Sequence, residues 1–115
     1  MSAKKVITWI EVGDIHKTVA GIYVKGGKVI SLLCNPKPTG PYRNVITETR
    51  IEYRVDSRTQ NAGVKALIAA LEKKLPLVIF EKIDVNAWRN LGEWIPIKVQ
   101  DEKEQSAKAF FLAPR

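Results

Sequence analysis

Cysteine and histidine are almost missing from these 115 residues, which hold one of each, Cys34 and His16. A single cysteine excludes an internal disulfide framework and points to a reducing compartment, the cytoplasm. With no Cys/His cluster there is no zinc site to expect, and no cofactor or metal motif is visible. A Ser-His-Asp or Cys-His catalytic set would have to recruit His16. That residue stands in the polar stretch Gly13 to Lys17 and reads as an exposed loop position, so the chain reads as a non-enzyme. Cys34 closes the apolar run Val29–Cys34 and reads as a small buried hydrophobe. No apolar run approaches the length of a membrane span. Glu11 and Asp14 follow Lys4 and Lys5 too soon for a secretory signal.

Acidic residues are also in deficit. Asp and Glu number 12 against 19 Lys and Arg, giving a net charge of +7 and a pI near 9.7. Such an excess favours a polyanionic partner. The length suits one domain, residues 1–115, built on one core. Hydrophobic residues at 45% and charged residues at 27% are ordinary for a folded globular chain.

Lys5–Val12 is β-branched and aromatic and predicts a strand. Val19–Lys25 and Lys28–Cys34 flank Gly26-Gly27, the signature of a tight hairpin. Asn35–Pro41 holds three prolines and a glycine, so it predicts a stiff extended loop ending at Tyr42 and Arg43. Thr49–Val55 alternates as a strand. Val64, Leu67, Ile68, Leu71 and Leu75 share one stripe of a helix over residues 61–75, capped by Asn61 and stopped by Pro76. Leu77–Ile83 is a buried strand, and residues 84–92 read as a connecting turn. Residues 93–100 form a strand in which Pro96 asks for an edge or a bulge. A charged turn over 101–108 then leads to a last strand over Ala109–Ala113. The order predicts an α+β fold: a twisted, mostly antiparallel β-barrel or strongly curved sheet with one main helix packed on it.

The most informative stretch is Arg50 to Asn61. Tyr53, Arg54, Asp56 and Arg58 place an aromatic ring, two guanidiniums and a carboxylate along one strand end. Together they can stack on a planar ring, read its polar edge and neutralise phosphate.

Several segments carry a resemblance. They are Gly21-Ile22-Tyr23-Val24, the loop ending Gly40-Pro41-Tyr42, the strand ending in Tyr53, and Gln60-Asn61 ahead of a helix with Lys65-Ala66-Leu67-Ile68. Leu75 to Glu81, Leu91 to Val99 and Phe110-Phe111-Leu112 continue it. Over Ala20 to Arg115 the chain resembles the SET-and-RING-associated (SRA) domains of the PUA-like superfamily, most closely the prokaryotic type found beside restriction nucleases. The resemblance implies binding of duplex DNA with a modified base turned out into a pocket. Two tyrosines sandwich that base, and Tyr42 and Tyr53 match them in order and spacing. The family's acid after the first tyrosine is replaced here by Arg43-Asn44-Val45, leaving Asn44, Glu48 or Asp56 to meet the base edge. The glycine-rich turn after the second tyrosine is replaced by Arg54 to Arg58. Lys37, Arg43, Arg54 and Arg58 would contact phosphate. The expected partner is nucleic acid, with a separate nuclease subunit in restriction or defence. An RNA-binding PUA-like domain and a basic protein-interaction or inhibitor protein are the alternatives. Salt dependence of binding to DNA, RNA and an acidic protein separates them.

Overall fold

The computed structural model describes residues 5–36, 43–58 and 61–115. Gly26 and Gly27 take φ values of 60° and 77° and make the expected two-residue turn. They join β2 (Ile22–Lys25) to β3 (Lys28–Cys34). The remaining strands are β1 (Val6–Ile7), β4 (Val45–Ile46), β5 (Ile51–Asp56), β6 (Leu77–Asp84), β7 (Ala87–Glu102) and β8 (Ala107–Pro114). All eight lie in one sheet, in the order β2-β3-β6-β7-β8-β5-β4, with β1 added to β7. Every pairing is antiparallel except β3 with β6. The sheet stays open, so of the two expected forms the curved sheet holds and the closed barrel does not.

The main helix, α2 (Ala62–Lys73), is capped by Asn61, whose side chain accepts from the Val64 amide, and ends on Lys74 in the left-handed region. Its buried stripe is Val64, Ala66, Leu67 and Ala70. Ile68, Leu71 and Leu75, expected in that stripe, are only partly buried, with Ile68 still packed against the core. Ala66 and Ala70 take the buried positions there instead. The core beneath α2 gathers Leu32, Cys34, Ile51, Tyr53, Leu77, Ile79, Trp94, Phe110 and Leu112.

The chain's first element departs from expectation. Only Val6–Ile7 is strand, and a one-turn helix, α1 (Trp9–Val12), follows. Thr8 and Glu11 form a reciprocal capping box that satisfies each other's amides, and the Trp9 amide donates to Asn86 Oδ1. That Thr-x-x-Glu signal overrode the β-branched composition. This segment covers the sheet's other face, where Val12, Phe80 and Trp88 form a second core with the Trp9 ring tilted against Trp88 at 5.4 Å. The turn expected over 84–92 is also shorter than predicted. Asn86 takes φ 51° in a two-residue turn, and β7 then runs from Ala87 through Gly92 to Glu102. Pro96 sits at a register shift against β8, the bulge its sequence asked for.

Candidate nucleic-acid interface

β3 ends at Cys34, and the next backbone amide, of Asn35, donates to Asn44 Oδ1 at 2.9 Å. Asn44 is thereby buried as a clamp that ties together the two ends of the proline-rich segment. Lys37 and Tyr42 lie within that segment and outside the described residues. Arg43, at its end, is exposed.

Tyr53 lies on the inner face of β5 with Ile51 and Val55, part of the core and only 8% exposed. Burial, with the neighbouring Cys34 adding to it, pushes its phenol well above the ordinary range, so it stays a neutral hydroxyl. The same burial keeps Cys34 a thiol. The Tyr53 hydroxyl reaches to Gly21, where a built Cβ would stand 2.8 Å from it. Glycine at 21 is therefore a packing requirement set by Tyr53.

Arg54 lies on the opposite face of β5. Its Nε and one terminal nitrogen donate to both carboxylate oxygens of Glu102 at 2.9 and 3.1 Å. The same nitrogen lies 2.9 Å from Glu52, which also meets Arg50 at 2.8 Å. The Glu102 contact raises the guanidinium's affinity for its proton, and the Arg54 contact holds the Glu102 carboxyl low, helped by Arg43 nearby. The third guanidinium nitrogen of Arg54 is buried and has no acceptor among the described residues. Arg58, at the end of the strand, forks onto Asp56 at 2.9 and 2.7 Å. Glu48 is exposed in the tight turn that Thr47 and Arg50 close.

The structure thus brings Arg43 and Arg54 together around Glu102, buries Tyr53 in the core near Cys34 and Gly21, and leaves Glu48 exposed at the turn between β4 and β5. Arg54, Arg58 and Asp56 are largely committed to one another's class of partner. Glu52 and Glu102, which do most of that work, were not anticipated. Glu52 alternates with Arg50 and Arg54 at a spacing of two, the signal that places them on one strand face.

His16 is a second correction. It is 1% exposed rather than a loop residue in water. Nε2 donates to the Ala20 carbonyl at 2.6 Å, leaving Nδ1 to accept from the Ser31 hydroxyl at 2.7 Å in the neutral ring. Burial lowers its pKa, against the opposing pull of the Ala20 bond. Beside it opens a shallow cleft of about 260 Å³ lined by Trp9, Gly13, His16, Lys17, Thr18 and Val19. Val19 is 89% exposed at its lip, an apolar side chain no sequence pattern singled out.

No protein-family model matches the sequence, and no curated protein does. Solved structures match the backbone throughout. The SRA domain of SUVH5 in complex with hemi-methylated CG DNA superposes with a TM-score of 0.78 at 16% identity, over 100% of this chain and 89% of that one. The fold is that of the SRA domain. The SUVH5 SRA domain bound to fully hydroxymethylated CG DNA matches with a TM-score of 0.72 at 18% identity, over 94% and 84% of the two chains. KRYPTONITE in complex with mCHG DNA and SAH matches with a TM-score of 0.72 at 11% identity, over 100% of this chain and 32% of that chain.

Proposed function

We propose that this chain is a nucleic-acid-binding module that engages duplex DNA at a modified base. The observation that carries the reading is the backbone likeness, over the chain's full length, to domains solved on methylated DNA. The net charge of +7 supports it. Turning a base out of the duplex costs a few kcal/mol, and each aromatic stacking partner returns ~1–3 kcal/mol. Tyr42, beside the exposed Arg43, is the stacking partner this reading favours. Tyr53, buried in the core with its hydroxyl toward Gly21, does not offer a free ring face. Arg43 and unpaired lysines supply phosphate contacts, since Arg54 and Arg58 already hold carboxylates. In restriction or defence the domain would provide recognition and a separate nuclease subunit would provide cleavage.

The test is fluorescence anisotropy with matched duplexes carrying cytosine, methylcytosine or hydroxymethylcytosine, and with RNA of the same sequence. A modified duplex should bind tightest, and Tyr42→Ala should remove ~1–3 kcal/mol of that preference while leaving salt-sensitive binding to plain duplex intact. Equal affinity for all DNA duplexes would defeat base reading, and tighter RNA binding would move the domain to RNA.

A further inference from the structure

Much of the free charge of this domain is carried by lysine, because most of its arginines are paired. Arg50, Arg54, Arg58 and Arg115 each lie against a carboxylate. Among the described residues, Lys25, Lys28, Lys73 and Lys74 have no ion pair or side-chain hydrogen bond.

The sheet brings these four lysines to one end. Lys25 and Lys28 close the β2–β3 hairpin as direct cross-strand partners. β3 and β6 run parallel, with Ser31 opposite Val78, so both strands begin at this end. α2 reaches the start of β6 through only Lys74, Leu75 and Pro76. Lys73 and Lys74 therefore arrive beside the hairpin tip. The helix C-terminus gives those two an internal reason, because its partial negative charge favours cations. Lys25 and Lys28 have no such reason, and like charges directly opposite one another across a strand pair repel. Glu72, the one acid of α2, bridges none of the four, and Glu93 is held by Arg115 at 2.6 Å. The excess is three positive charges on an exposed surface.

The chemistry of that surface selects its partner. Gly26 and Gly27 have no heavy atom within 4 Å of a built Cβ, so the tip is bare and open to a bulky ligand. None of the exposed large hydrophobic residues, Val6, Ile10, Val19, Val85 and Ile97, falls on the tip or on the last turn of α2. A peptide partner needs apolar anchors, which are missing there. A phosphate backbone needs only flexible point charges. The seven residues of β3 separate this end from the Asn35–Asn44 clamp by about 20 Å, the width of a duplex.

We propose that the Lys25, Lys28, Lys73 and Lys74 end is a second nucleic-acid contact, binding the phosphates of a duplex other than the one engaged at the clamp. This inference rests on the DNA-binding reading above, and the test separates them. A modified duplex is immobilised and loaded with protein, and capture of a second, labelled, unmodified duplex is measured. The comparison is with Lys25→Gln/Lys28→Gln/Lys74→Gln, all exposed positions whose melting curve should match the parent. The parent should capture the second duplex, with the variant's capture at least ~10-fold weaker and its log–log salt slope smaller by about 2.7. Affinity for the first, modified duplex should be unchanged. Equal capture by both proteins, no capture by parent protein that is loaded on the modified duplex, or an equal loss on the first duplex would overturn the proposal. So would polyglutamate holding this end as tightly as duplex. If the parent fails on the modified duplex yet, immobilised directly, still binds plain duplex through these lysines, the base-recognition reading falls and this one stands.

Discussion

Gly21→Ala should destabilise the domain through one atom, the Tyr53 hydroxyl. The new methyl would stand 2.8 Å from that oxygen, where ordinary contact begins at 3.4 Å. About 0.6 Å must be found in a residue whose ring is already packed among Cys34, Ile51 and Phe110. Overpacking of this kind costs about 1–3 kcal/mol. Replacing glycine also restricts the unfolded chain, which returns about 0.4–1 kcal/mol, so a net loss of up to about 2.6 kcal/mol is expected. Tyr53→Phe removes the obstructing oxygen. That hydroxyl makes no hydrogen bond among the described residues, so the single change should cost less than about 1 kcal/mol. In the Tyr53→Phe background, Gly21→Ala should be neutral or mildly stabilising. The cycle is read from urea midpoints of the four proteins, with the coupling taken as the difference between the two Gly21→Ala costs. Equal costs in the two backgrounds would refute the argument, because they would mean that the clash lies elsewhere.

Glu102→Gln should cost about 1.5–3 kcal/mol by leaving the Arg54 guanidinium without its fork, measured by the same denaturation assay. Leu67→Ala should cost about 2–5 kcal/mol, since Leu67 is fully buried, and Leu71→Ala clearly less. Because burial lowers the His16 pKa, the unfolded state binds the proton more readily. Stability should therefore fall as pH drops from the ordinary value of 6.5 and level off below the folded value. The urea midpoint between about pH 5 and 7 should show this slope, and His16→Gln should flatten it.

Local rules carried much of the fold because the sequence expresses them in short windows. The Gly26-Gly27 turn, the Asn61 cap, the Pro96 bulge and the Leu77 strand each follow from one or two neighbouring residues. What sequence reading missed depends on distant partners. His16 looks polar until Ser31 and the Ala20 carbonyl enclose it. Trp9 to Val12 has strand composition, but a capping box and the Trp88 ring opposite it favour a helix. The candidate interface was legible as a group of residue types and much less so as an arrangement. Nothing local announces that Glu102, 48 residues from Arg54, will take its charge. Grouping Tyr53 with Arg54 overlooked strand parity, by which neighbours in sequence face opposite sides of the sheet.

The length of β7 has a consequence for how the molecule comes apart. Trp88 belongs to the core under α1, while Trp94 and Val99 belong to the core under α2. The same strand pairs with β1 near its beginning and with β8 along its second half. A single continuous backbone therefore spans both cores, and neither can loosen without disturbing hydrogen bonds that serve the other. Such a domain should lose amide-exchange protection along β7 in one cooperative step. It should also fold slowly, because joining Val6 to Arg89 closes a loop across most of the chain before any local contact rewards it.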